Sequence, residues 1–331
     1  MIGIPDADII VVGAGVAGCA AAATSLEHGL SVVVVEAGPT GPLPAGLRSA
    51  DLNRASEARN WWRPGQYLAG MGVGGGSAVN GMVLQRPPKL SPEVDWAWDA
   101  FDPQPASPGA LVRELDAAGA SVEVALLSVR NGSRRTAADV WLQPSEGLHV
   151  MARATVSAAD IAAWSAAGRS VLVAAGVFGS PGLVHAVANP AKDHPSAVVG
   201  FALPTHLQNT TTDEPTATAI IRRGGVQLLV LERAGSDPHR GALIVSAMVE
   251  PVRQDALAAG VDDAVQLLAE VGIQGHVQPG PAPVAHACCT LTGVATAVPV
   301  VDASTLPALP SVNPMVAVAA HARSQTLMAL A

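Results

Sequence analysis

Three glycines and one acid near the start of the chain have the types and the spacing to hold a dinucleotide. Gly13, Gly15 and Gly18 read G-x-G-x-x-G, and Glu36 follows eighteen positions after Gly18. Gly13 permits a tight turn, Gly15 lets backbone approach a pyrophosphate, and Gly18 lets a helix pack closely on a strand. A carboxylate at Glu36 can accept hydrogen bonds from a ribose diol. A second stretch, residues 70–82 (GMGVGGGSAVNGM), is too glycine-dense for a regular element and too apolar for a flexible linker. Its glycines let backbone lie against a flat or anionic ligand, with Ser77 and Asn80 as polar contacts. Imidazole, with a pKa near 6.5, is the side chain suited to take a proton at neutral pH, but spacing alone singles out none of the nine histidines.

The elements that must position these residues are legible around them. Residues 9–12 are a short apolar run ending on Gly13, the pattern of a strand buried on both faces of a parallel sheet. The alanine-rich run 17–26 supplies a helix whose N-terminal amides would face phosphates, and Gly29 is its natural stop. Residues 31–35 form the second strand, ended by Glu36. A lone glycine fingerprint is weak, but strand, helix and terminal acid together predict adenine dinucleotide binding, without separating NAD from FAD. Residues 170–181 (SVLVAAGVFGSP) predict a buried strand, a glycine turn and a helix start at Ser180-Pro181. Residues 39–65, rich in Pro, Gly and Arg, predict an irregular connection. Runs at 197–203, 216–232 with a turn at Gly224-Gly225, and 241–250 predict strands, while 253–271 has helical apolar spacing. Strands with one covering helix predict an antiparallel sheet forming a wall over the bound ligand.

Composition limits the function classes. A chain of 331 residues with 49% hydrophobic content can bury a sizeable core and is long enough for two lobes. A net charge of −8 and only two lysines, Lys89 and Lys192, offer no basic patch for nucleic acid or an acidic membrane. No apolar run is long enough to span a bilayer, and no charged and apolar leader precedes residue 9, so the expected location is the cytoplasm. Cys19, Cys288 and Cys289 do not make a disulfide framework, and Cys19 is expected to pack in the first helix as a small hydrophobe. No Cys/His cluster has structural zinc spacing, so no metal is expected.

The sequence resembles the glucose-methanol-choline (GMC) oxidoreductases. Residues 74–82 (GGGSAVNGM) are similar to that family's flavin-contacting segment, with Gly74, Gly75, Ser77, Asn80 and Gly81 on its pattern, and Glu36-Ala37-Gly38 is similar to its strand end. Met71 departs from the basic or amide residue usual there. Residues 134–142 and 148–150 resemble the helix and strand leading to an adenine-contacting position, here Val156, and 170–181 resemble the segment that closes the FAD sheet. The usual S-G-I-G after that segment is absent. Asp193-His194-Pro195 resembles the crossing into the substrate lobe, and His194 is read as structural. Near the end, His286-Ala-Cys-Cys-Thr290 resembles H-x-x-G-T with Cys289 in the glycine place, 299–304 resembles the returning strand with Asp302 and Ala303 against FAD, and 309–314 resembles P-S-x-N-P at a last helix.

The resemblance implies an α/β fold: an FAD-binding Rossmann-like domain of the GMC type, residues 1–195 and 285–331, with a smaller antiparallel-sheet α+β substrate domain, trimmed to 196–284. It implies an FAD enzyme that oxidises a CH–OH donor. His286 would take the hydroxyl proton and Asn313 would hold the substrate oxygen, while the α-hydrogen leaves as hydride to the flavin. Pro314 at a helix start would aim a positive dipole end at the flavin. No histidine lies beside 74–82, where some relatives attach flavin covalently, so FAD is expected to be non-covalent. The partners implied are a small alcohol and an electron acceptor, whether oxygen, quinone or a redox carrier. The chain is short for the family, mainly after Trp98 and between Val156 and Ser170. An open active site is therefore expected, unless a second copy in a homo-oligomer or a large substrate covers it. Within the same fold the alternatives are a hydroxynitrile lyase and a non-catalytic flavin-binding protein.

Overall fold

A computed structural model of the chain describes residues 2–52, 59–62, 67, 69–208, 216–233, 239–248, 254–280 and 286–331. Two sheets organise them. The first is parallel and has four strands, β1 (Ile9–Val12), β2 (Val32–Val35), β3 (Leu148–Met151) and β4 (Ser170–Val173), in the order β4-β1-β2-β3. β1 and β2 are four-residue runs of valine and isoleucine with every residue buried, as strands covered on both faces must be. Alternation divides them between two cores. Ile9 and Val11 face helix α1 (Val16–Glu27) and the last helix of the chain, whereas Ile10 and Val12 face Ile161, Trp164, Leu291 and Val300. The returning segment adds itself beside β4 through a parallel bridge from Val173 to Val300.

The second sheet is antiparallel. Its main strands are β5 (Ser196–Ala202), β6 (Ala217–Arg223), β7 (Val226–Leu231) and β8 (Arg240–Ala247), in the order β5-β8-β7-β6. Gly224 and Gly225, at φ 55° and 84°, make the two-residue turn between β6 and β7, which requires left-handed backbone at both positions. Three-residue strands extend the sheet at its edges, Gly275–Val277 beside β5 and Val122–Val124 beside β6. Neither edge was predicted, because three residues with one polar side chain among them carry no readable period. Helix α2 (Ala158–Ala166) lies on the parallel sheet, and helix α3 (Gln254–Glu270) covers the antiparallel one, where Ala264, Leu267 and Leu268 meet Leu228, Leu243 and Val245. The opposite face of that sheet packs on Met82, Val83 and Leu127, which ties it to the glycine-rich stretch.

The ends of the expected strand 241–250 and helix 253–271 at residues 249, 250 and 253 lie outside the described residues, as does the expected lobe boundary at 284/285. So do residues 53–58 and 63–65 of the expected irregular connection. Helix α4 (Met315–Leu330) follows Pro314 and packs along α1. Among the described residues no helix is long and apolar enough to cross a membrane.

Candidate active site

The dinucleotide cradle is made by backbone that no side chain could share. Gly13 has φ 105°, and a Cβ on Gly18 would lie 1.8 Å from the Gly13 carbonyl oxygen, so α1 can start against β1 only with glycine there. Gly15 is different: a Cβ there would meet nothing within 4 Å, so its surface faces open space at the start of α1. The residues 70–82 come directly onto this turn. Gly74 N donates to Ala14 O at 2.7 Å, and a Cβ on Gly75 would lie 2.6 Å from Gly15 Cα. The two glycine turns thus touch at the N-terminus of α1, whose first amides have no intrahelical acceptor, a site complementary to a pyrophosphate.

Glu36 binds these turns together. Its carboxylate is buried and accepts from Ala14 N (2.8 Å) and Gly38 N (2.8 Å), and from Gly72 N at 3.1 Å. With roughly four acceptor positions on a carboxylate, one remains, on Oε2, which accepts only from Ala14 N. Ser77 and Asn80 are engaged both within the loop and with segments packed on it. Ser77 Oγ donates to Gly74 O and accepts from Ala137 N, and Asn80 Oδ1 accepts from Met82 N. Gly81 has room around it, with only Leu52 Cδ1 at 3.8 Å from an added Cβ.

The loop's shape is fixed by a residue not singled out by the sequence reading. Arg134, 2% exposed, donates from Nε to Leu47 O and from one terminal nitrogen to Ser77 O, Asn80 O and Asn80 Oδ1. Burial first, and the neighbouring Arg48 second, lower its pKa to about 10. The signal in the sequence was its place beside Thr136 and Asp139, the capping box that starts the helix Ala137–Trp141.

Asp302 is the hub of the returning strand. It is buried, and its oxygens accept from Gly176 N, Ser180 Oγ, Ser304 N and Ser304 Oγ. It therefore joins the glycine turn after β4 to the 3-10 turn Ala303–Thr305. Ala303 O accepts from Cys289 N at 2.9 Å. Cys289 itself has φ 69°, left-handed backbone in the position where the family pattern carries glycine. All three cysteines are buried and none is in a disulfide, and Cys19 packs in α1 as expected. Val156 is half-buried between β3 and α2, against the core that holds Ile10 and Val12.

The acid-base groups converge from three segments. Asp193 Oδ1 accepts from His194 N (2.8 Å) and His286 N (3.2 Å), and its Oδ2 accepts from the Tyr67 hydroxyl at 2.6 Å. The Tyr67 oxygen in turn accepts from Ala287 N at 2.7 Å. Burial raises the Asp193 carboxyl above its ordinary range, opposed by these hydrogen bonds. His194 lies edge-on to His286, with Nδ1 3.2 Å from His286 Nδ1 and Nε2 2.8 Å from Pro310 O. Burial, with His194 adding to it, lowers His286 to about 3, far below the ordinary imidazole value expected from sequence. His286 Nε2 has no hydrogen-bond partner among the described residues. Asp193, His194 and His286 are also the one group among the described residues whose potential metal-ligand atoms lie within 4.8 Å of one another.

Asn313 is held three residues beyond Pro310. Its backbone N donates to Gln85 Oε1 at 2.7 Å, and its Oδ1 accepts from Met315 N at 3.3 Å, at the first residue of α4. Its Nδ2 has no partner among the described residues. Gln85 Nε2 donates to Gln227 Oε1 of β7 at 2.6 Å, so the antiparallel sheet is linked through two buried amides to the turn that carries Asn313.

Comparison with known proteins places this geometry. A family model described as an FAD binding domain matches residues 8–43. No curated protein matches the sequence. Among solved structures the chain is similar to pyridoxine 4-oxidase from Mesorbium loti, at 15% identity and a TM-score of 0.65 over 98% of this chain and 99% of that one. It is similar to a variant of formate oxidase from Aspergillus oryzae RIB40, at 12% identity and a TM-score of 0.74 over 98% of each chain. It is also similar to a fungal aryl-alcohol oxidase, at 12% identity and a TM-score of 0.67 over 98% of this chain and 99% of that one. With its parallel sheet, its paired glycine turns and its six-stranded antiparallel wall, the chain has the GMC oxidoreductase fold, with an FAD-binding domain at β1.

Proposed function

We propose that the protein is an FAD-dependent oxidoreductase that oxidises an alcohol. The observation that carries this reading is a pair of polar atoms near the end of the chain, His286 Nε2 and Asn313 Nδ2, that have no hydrogen-bond partner among the described residues. Their segments are joined through His194 and the Pro310 carbonyl. Asn313 Nδ2 donates to the substrate oxygen and orients it, while His286 Nε2 takes the hydroxyl proton. The open face of Gly15 and the amides at the start of α1 fit a pyrophosphate, and residues 70–82 lie where backbone can meet a flat ring. The chemistry FAD would supply there is that of a hydride acceptor for the carbinol carbon; His286 Nε2 would hold the hydroxyl proton, leaving the carbonyl product. Asp302 and Glu36 act in this scheme by holding the turns that contact the cofactor. The absence of histidine from 74–82 supports non-covalent FAD.

The test is an absorbance spectrum of the purified protein before and after anaerobic addition of a panel of primary, secondary and aromatic alcohols. Bleaching of the flavin band by one of them supports the reading. A yellow protein that no alcohol bleaches, but that cleaves a cyanohydrin, would identify a lyase instead.

A further inference from the structure

The imidazole of His194 makes two contacts whose chemistry decides where protons reside. Nε2 lies 2.8 Å from Pro310 O, and a carbonyl can only accept, so this nitrogen carries hydrogen. In neutral His194, Nδ1 is then an unprotonated acceptor. It lies 3.2 Å from Nδ1 of His286, and two lone pairs facing each other at that distance repel, so the hydrogen between them belongs to His286. A neutral His286 with hydrogen on Nδ1 has its lone pair on Nε2, the nitrogen without a partner among the described residues.

We infer that His194 is a positioning residue for the proposed base: the relay Pro310 O, His194, His286 fixes the tautomer of His286 that can accept a proton at Nε2. The inference rests on the reading of His286 as the base. It assigns a role to a histidine that the sequence marks only as the crossing into the substrate lobe. The contact does a second thing. When Nε2 gains a proton, the Nδ1–H of the imidazolium becomes a stronger donor, and His194 Nδ1 is already placed to receive it. Asp193 and Tyr67 hold the backbone amides of His194, His286 and Ala287, so the two rings meet at a fixed edge-to-face angle of 84°. Outer partners that orient metal-bound imidazoles typically contribute about 10- to 100-fold, and a contribution of that order is taken for His194 by analogy.

The experiment compares wild type, His194→Asn and His194→Leu, each purified with its flavin. Asparagine can set its carbonyl oxygen near the place of Nδ1 and accept from His286, whereas leucine cannot. In protein labelled with 15N-histidine, with His286→Gln as the assignment control, wild type should show His286 protonated at Nδ1 and bare at Nε2. His194→Leu should shift that equilibrium and lower the limiting rate of flavin reduction by about 10- to 100-fold, with flavin content and the alcohol concentration for half-saturation little changed. His194→Asn should restore most of the rate. Three results would overturn the inference. They are His286 protonated at Nε2 in wild type, equal losses in the Asn and Leu variants, and one equivalent of a first-row metal per chain on elemental analysis, since a metal would take both Nδ1 lone pairs. A His286→Ala variant that reduces its flavin as fast as wild type would instead remove the underlying reading of His286.

Discussion

A histidine taken out of water has lost the solvent that stabilises its charged form, so His286, with a pKa lowered to about 3, is neutral across the working pH range. As far as this residue is concerned, flavin reduction by alcohol should be flat from about pH 5 upward and fall only toward about pH 3, where the imidazole protonates. Stopped-flow reduction across that range checks it. His286→Ala should retain bound flavin and dithionite reduction but lose about 10²- to 10⁴-fold in reduction by alcohol. Stability carries the same signature. The folded pKa lies below the unfolded value of ~6.5, so as pH falls between the two the unfolded chain gains a proton the folded chain refuses. The folded state is then destabilised by up to ~1.4 kcal/mol per pH unit. His286→Asn should therefore gain in melting temperature relative to wild type as pH is lowered from about 7 to about 4. At Glu36 the prediction involves both folding and binding. Glu36→Gln places an amide NH2 against backbone N–H groups that now donate to a carboxylate, at a cost of about 1–3 kcal/mol for each one left without an acceptor. The variant should melt earlier and bind FAD at least tenfold more weakly, by calorimetry and flavin titration.

The glycines of the first turn divide by what surrounds them, and this separates folding from binding at the level of one helix. A methyl on Gly18 collides with the Gly13 carbonyl and must push α1 off β1, whereas a methyl on Gly15 meets no protein atom. Gly18→Ala should lower both melting temperature and flavin content. Gly15→Ala should leave the melting temperature of the flavin-free protein within about 1–2 °C of wild type while weakening FAD binding, because its methyl enters the cradle. Equal stability losses in both variants would mean that Gly15 is packed like Gly18.

At the scale of the whole molecule, the antiparallel sheet reaches the turn that carries Asn313 through Gln227, Gln85 and the Asn313 backbone N–H. Gln227→Ala removes an acceptor from a buried amide and frees Gln85 to rotate away from Asn313 N. The expected result is a loss of about tenfold in reduction by alcohol with FAD affinity unchanged, since the cradle lies on other segments. A loss of FAD affinity equal to the loss of rate would place the link in cofactor binding. Anaerobic titration and flavin fluorescence measure the two separately.

The sequence by itself determined the parts whose signal is local. The strand, glycine turn, helix and acid of residues 9–36 are contiguous, and each constrains its neighbours sterically. The hairpin at Gly224-Gly225 and the helix after Pro314 are local in the same way. Tertiary structure decided what depends on residues far apart in the chain. It made Glu36 and Asp302 hubs that tie together turns distant in sequence, through oxygens that accept from protein donors. It buried Arg134 under the glycine loop. It brought His194 against His286 across 92 positions of sequence, a contact for which no spacing exists. The reason is physical. A pattern of residue types records which faces must be buried and where the backbone must turn, but hydrogen-bond capacity and pKa depend on which groups meet once water is gone.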